Sequence, residues 1–191
     1  MLEWATLSYI RRKFAGVDHI STDEFCSRAK FTENDAQKSQ DKEHSNNVYL
    51  TIDCRRKDEF EVSHIPNSKN LHFQTDDASL INFLVEEQNK LFDTDSANTK
   101  LNIVCYCSLG YRSSTLAQRI ENLKSSHTTL RDKNIKTWNL EGSIFKWANE
   151  KRPMTDLNNL PTKFVHPFSY TFCMLLEREY WKWSPDLKQD T

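Results

Sequence analysis

Three short runs constrain this chain most: VYLTIDC (48–54), LNIVCYC (101–107) and IKTWNL (135–140). The first two are rich in apolar and β-branched residues and too apolar to keep a solvent face, so they read as strands buried on both sides. The third reads as another strand. Segments of helical periodicity separate them: ASLINFLVEEQNKLF at 78–92, and Ser113 to Leu123 with Leu116, Ile120 and Leu123 on one stripe. A further short helix is expected from Gly142 to Asn149, and 124–134 reads as a polar loop. Upstream, VDHISTDEFCSRA offers a short strand and a helix capped by Ser21 or Thr22, with Asp23 and Glu24 in its first turn. The order βαβαβα predicts an α/β fold, a central parallel sheet with helices on both faces. At 191 residues the chain has room for one such domain with a proper core.

In a parallel sheet, ligands sit beyond the carboxyl ends of the strands, and there the sequence reads Cys107-Ser108-Leu109-Gly110-Tyr111-Arg112, with Ser113 and Ser114 opening a helix. A helix start presents unpaired backbone N–H groups and the positive end of its dipole. Gly110 is free to take the angles that turn further N–H groups inward as an anion nest. A thiol at that centre is drawn toward its thiolate, the reactive form. Arg112 adds a permanent charge and a planar fork suited to an oxyanion. Together these describe nucleophilic attack on an anionic substrate. Cys105, two residues back inside the strand, reads as core filler.

The wider composition narrows the classes. A formal net charge of −1 gives no broad basic field for nucleic acid or anionic lipid. No run is long and apolar enough to cross a bilayer, and the start does not read as a secretory signal. A cytoplasmic location is expected, with Arg11, Arg12 and Lys13 leaving a mitochondrial address open. Five cysteines, an odd number, suggest free thiols rather than a disulfide framework. Cys26, Cys54 and Cys173 show no partner spacing. The stretch at 32–47 carries almost nothing to bury and reads as a polar insertion.

Three segments then resemble the rhodanese-like domain, the thiosulfate sulfurtransferase family. TIDCRRKDEFEVSHIPNSKNLHF resembles the family's strand ending in Asp-x-Arg with its Glu-Phe pair and His-Ile-Pro hairpin. VCYCSLGYRSSTLA resembles the active-site loop and helix, and WNLEGSIFKWANEKRPM the Leu-x-Gly-Gly segment and closing helix. The likeness places a single domain at 17–153, after an N-terminal helical extension (1–16) and before a C-terminal extension (154–191) expected to be helical and packed on the domain. Ser63, Asn67 and Ser143 stand where the family favours glycine. Asn67 tolerates a left-handed turn better than most residues, and Ser143 is expected to alter the start of the last helix.

The resemblance implies that Cys107 carries sulfur as a persulfide, cradled by Ser108, Leu109, Gly110, Tyr111, Arg112 and Ser113. The implied donor is a small anion such as thiosulfate and the acceptor a thiol or a cyanide-like nucleophile, with no metal or organic cofactor. Asp53 and Arg55 would support the loop, either as a structural ion pair or by touching substrate, and His64 reads as a hydrogen-bonded structural histidine. One competing class is a cysteine-dependent phosphatase or arsenate reductase of the related cell-cycle phosphatase type. Its loop is one residue longer (Cys-x5-Arg, against Cys-x4-Arg here), and Tyr106 stands where it places a histidine. The other is a non-catalytic binding module on the same fold. In the tail, PFSYTFCMLLEREYWKWSPD reads as a helix extending the core, or, if exposed, as a protein-partner surface around Trp181 and Trp183.

Overall fold

In the computed structural model, which describes residues 2–29, 47–91, 99–127, 130 and 134–184, the buried runs lie side by side in one sheet. Its strands are β1 (His19–Ile20), β2 (Asn47–Asp53), β3 (Lys69–Asn70), β4 (Lys100–Tyr106) and β5 (Ile135–Leu140). They are ordered β1-β5-β4-β2-β3, and all four pairings are parallel. The long strands are therefore central. Every residue of β4 after Lys100 is buried, as a strand covered on both faces requires.

Helices α1 (Leu2–Lys13), α4 (Asp77–Leu91) and α5 (Tyr111–Ser126) cover one face, placing Ile10, Leu80, Leu84, Leu116 and Ile120 against Leu50, Ile52, Leu101, Ile103 and Cys105. On the other face α2 (Thr22–Arg28) and α6 (Ser143–Asn149) pack Phe25, Ile144 and Trp147 against Val104 and Tyr106. A one-turn-and-a-half helix, α3 (Lys57–Val62), follows β2.

Three expectations change. Helix α5 begins at Tyr111, with Gly110 as its N-cap, and runs to Ser126 rather than ending near Leu123. Its last turn is held by Leu123, which packs on the core, and the Ser125 and Ser126 hydroxyls bond back to the Glu121 and Asn122 carbonyls. Of the expected 124–134 loop, Leu130 is buried and residues 128, 129 and 131–133 lie outside the described residues. The polar insertion lies outside them too, apart from Asn47, which starts β2.

The third change is the tail, which is not a long helix. Among its described residues, 154–184, it carries only single 3-10 turns at Cys173–Leu175 and Arg178–Tyr180. Pro161 and Pro167 break any helical ladder, and Asn159 and Phe168 take positive φ. It packs on the α6 face through Val165, Leu176 and Tyr180. Asn149 secures it, donating to the Leu175 carbonyl at 2.9 Å and accepting from the Glu177 N–H at 3.0 Å. Trp181 and Trp183 are half-buried, and the Trp181 indole N–H donates to the Leu176 carbonyl. The most exposed large apolar side chains among its described residues are Tyr170 and Met174.

Among the described residues no helix is long and apolar enough to cross a membrane, and no cluster of three or more His, Cys, Asp or Glu could hold a metal ion.

Candidate active site

Residues 107–110 link the end of β4 to the start of α5. The turn hangs on the start of α6. Ile144 N–H donates to the Cys107 carbonyl and Phe145 N–H to the Ser108 carbonyl, at 3.1 and 3.2 Å. Cys107 N–H donates to Ser143 Oγ at 3.1 Å, and that hydroxyl donates to the Leu140 carbonyl at 3.2 Å. So Ser143 keeps the left-handed backbone of a glycine (φ 52°) and adds a hydroxyl that anchors the nucleophile's amide. Asn67 also holds positive φ, at 62°. Ser63 is extended at φ −171°, a conformation open to any residue.

Gly110 is the residue this turn cannot exchange. Its φ is 118°, and a Cβ there would come within 3.3 Å of Asn139 Nδ2. The same conformation delivers its N–H to Cys107 Sγ at 3.1 Å. The Ser113 hydroxyl approaches Sγ at 3.5 Å, and the sulfur is almost wholly buried, Cys107 being 2% exposed. Burial alone pushes this thiol up. The Arg112 charge, the Ser113 hydroxyl and N–H, and the Gly110 N–H outweigh it, and the net shift is below the ordinary thiol value.

Arg112 is not an idle fork waiting for substrate. Its Nη1 and Nη2 donate to Glu59 Oε2 and Oε1 at 2.7 and 2.8 Å, and Nη2 also donates to Ser108 Oγ at 2.9 Å. Glu59, on α3, is fully buried and also accepts the Arg56 N–H. Burial works to raise its carboxyl, but Arg112, then Arg55 and the Arg56 N–H, hold it down to about 2. The ring of Phe168, from the tail, lies over the Arg112 guanidinium at 4.4 Å. The site thus draws on α3, the 107–110 turn, α5 and the C-terminal extension.

The other expected residues separate by role. Asp53 and Arg55 form a wholly buried pair, Arg55 Nε and Nη2 reaching Asp53 at 2.9 and 2.7 Å and Nη2 also reaching the Ser63 carbonyl at 2.6 Å. That pair locks the end of β2 to the hairpin and contacts no loop atom by hydrogen bond; Arg55 acts on the site through its charge on Glu59. Ser108 bridges Arg112 and Glu59. Leu109 packs toward the α6 face. The Tyr111 ring lies edge-on to Phe14 at 5.2 Å with the Lys13 ammonium over it at 5.0 Å. His64 donates from Nδ1 to the Phe60 carbonyl at 3.1 Å and stacks on the Phe60 ring. Tyr106 ties its hydroxyl to Ile65 N–H and Ser68.

Sequence reasoning did not assign Glu59, Asn139, the Ser143 hydroxyl or Phe168 to the site. The Glu-Phe pair was the one visible signal, since a carboxylate destined for burial needs a fixed cation. Cys105 is fully buried within β4, and Cys54 lies beside it, its thiol pushed well up by burial and then by that neighbour.

A family model for the rhodanese-like domain matches residues 32–150. No curated protein matches the sequence. Among solved structures, the chain is similar to a thiosulfate sulfurtransferase from Pseudomonas aeruginosa (13% identity, TM-score 0.48), over 81% of this chain but only 23% of that one. It is also similar to a Saccharomyces cerevisiae protein described as a homolog of single-domain rhodanese and the Cdc25 phosphatase catalytic domain (18% identity, TM-score 0.48), over 71% and 82% of the two chains. A third is a rhodanese-related protein from Thermoplasma volcanium (20% identity, TM-score 0.39), over 72% and 97%.

Proposed function

Because this chain belongs to the rhodanese-like domain family, whose fold supports cysteine-based chemistry, we propose that it is a sulfurtransferase working through a persulfide on Cys107. The observation that carries the reading is the Sγ environment: one buried sulfur between the Gly110 N–H and the Ser113 hydroxyl, beside a fixed guanidinium. These contacts draw the thiol toward its thiolate, the form that attacks sulfur.

In the first step the thiolate attacks the outer sulfur of an anionic donor such as thiosulfate. A Cys–S–S bond forms, the sulfur–sulfonate bond breaks, and its electron pair leaves with sulfite. In the second, a thiophilic acceptor attacks the outer persulfide sulfur, and Cys107 departs as thiolate. With cyanide the product is thiocyanate. The same N–H, hydroxyl and guanidinium that favour the thiolate would favour the persulfide anion, so neither half-reaction needs a metal or organic cofactor. The partners are therefore a small anionic sulfur donor and a thiol or cyanide-like acceptor.

The loop of six residues from Cys107 to Arg112 favours sulfur over a tetrahedral phosphate, which needs a wider cradle. The test is a paired assay of thiosulfate with cyanide against aryl phosphate esters. Thiocyanate without phosphate release is expected; phosphate release without thiocyanate would overturn the reading.

A further inference from the structure

The Ser113 hydroxyl faces two acceptors with a single proton. Its Oγ lies 3.5 Å from Cys107 Sγ and 2.6 Å from Asn139 Oδ1. Asn139, at the end of β5 and 1% exposed, meets His19 Nδ1 of β1 with its Nδ2, at 3.1 Å. The chain His19–Asn139–Ser113–Cys107 therefore runs from the edge strand to the nucleophile, and its two buried middle members have no slack. Whichever way the amide points, one end must donate and the other accept.

This gives two self-consistent arrangements. With a lone pair on His19 Nδ1, Asn139 Nδ2 donates to it, Oδ1 takes the Ser113 proton, and Ser113 Oγ has only a lone pair to offer the sulfur, which suits a neutral thiol. With a proton on Nδ1, the amide is turned. Oδ1 accepts from His19, Nδ2 donates to Ser113 Oγ, and the hydroxyl is free to donate to Sγ, which suits a thiolate. We propose that this chain is a hydrogen-bond polarity switch, with His19 as a positioning residue: Cys107 ionises together with a turn of the Asn139 amide and the arrival of a proton on His19 Nδ1. No net proton need be taken up by the ring, since a neutral imidazole can shed one from Nε2 to solvent as it gains one at Nδ1.

The surroundings allow either form. Among the described residues no hydrogen bond of ordinary geometry closes on the buried His19 Nε2, so either nitrogen can carry the proton. Burial disfavours the charged ring, Glu141 and Asp18 favour it and Arg11 opposes it, and the Phe14 carbonyl favours it without closing a bond to Nε2. Arg11 is itself paired with Glu141, and Lys136 with Asp18. The net effect of burial is to keep the ring neutral toward lower pH, which leaves the tautomer as the variable near neutrality.

The inference rests on Cys107 as the nucleophile, but its test reads ionisation and not sulfur transfer. Nitrogen-15 NMR of the imidazole distinguishes a protonated from an unprotonated Nδ1. The full-length protein and Cys107→Ser would be compared at one pH above the Cys107 ionisation. A protonated Nδ1 on His19 is expected with the thiolate and an unprotonated one with the serine. In Ser113→Ala the response should vanish, and alkylation of Cys107 by iodoacetamide at pH 7, resolved from Cys105 by tandem mass spectrometry, should slow about tenfold, the effect of losing one hydrogen bond to a charged sulfur. The same His19 signal in the wild type and Cys107→Ser overturns the proposal without any further variant, as does a response that persists in folded Ser113→Ala. A protein that alkylates as expected but fails to form thiocyanate would defeat the sulfurtransferase reading and leave the switch standing.

Discussion

Replacing Glu59 with Gln tests what the buried carboxylate contributes. Gln keeps the shape of the side chain and loses the charge that Arg112 grips with two bonds at 2.7 and 2.8 Å. The carboxyl is held at about 2 against an ordinary 4.5, a gap of about 2.5 units, or about 3 kcal/mol. The folded-state value is depressed, so this stability is fully present above about pH 4.5 and is lost as pH falls toward 2. Urea unfolding followed at a series of pH values from 5.5 to 2.5 should therefore show a wild-type decline that the variant lacks. At pH 5.5 the variant should be weaker by about 3 kcal/mol or somewhat more, because Arg112 is left partly buried with an incomplete partner. At pH 2.5 the two should approach each other. Parallel curves over the whole range would refute the reasoning.

Removing that carboxylate should also leave Arg112 less neutralised, so the Cys107 thiol of Glu59→Gln should ionise at lower pH, read by the pH profile of its alkylation. Gly110→Ala forces a Cβ into a positive-φ position and toward Asn139; a stability loss of about 1–3 kcal/mol and slower alkylation of Cys107 are expected from thermal unfolding and iodoacetamide kinetics. Phe168→Ala uncovers the Arg112 guanidinium, and sulfur loading from thiosulfate should quicken about two- to fivefold, the equivalent of a cation–π contact of about 0.5–1 kcal/mol; unchanged or slower loading would assign Phe168 to substrate binding or to nothing. Cys105→Ser should still load sulfur, with a stability loss of about 1–3 kcal/mol from burying a hydroxyl, whereas Cys107→Ser should not load at all.

The sheet was legible because β2 and β4 are buried runs whose composition admits no solvent face, and the position of Cys107 followed from where β4 had to stop. The helix after it was placed two residues late, since Gly110 caps it through φ and not through a side chain, which leaves no polar signature to read. Glu59 and Arg112 are 53 residues apart, and nothing local says that one buried carboxylate will take both arms of the guanidinium. Asn139 and His19 meet only because β1 adds to the edge beside β5, a pairing of two residues too short to carry a periodic signal. In the tail the aromatic spacing suggested a helix, but the prolines at 161 and 167 outweigh it, and the apolar side chains are buried one at a time by an irregular strap.

The central claim is that Cys107 alone takes up sulfur. The most direct measurement is mass spectrometry of the intact protein after thiosulfate and then cyanide, with the peptide spanning 101–112 fragmented to separate its two cysteines. The account predicts the added mass of one sulfur atom on Cys107, lost on cyanide treatment with release of one equivalent of thiocyanate. Sulfur on Cys105, or none on Cys107 in protein whose Cys107 is free to alkylate, would contradict it.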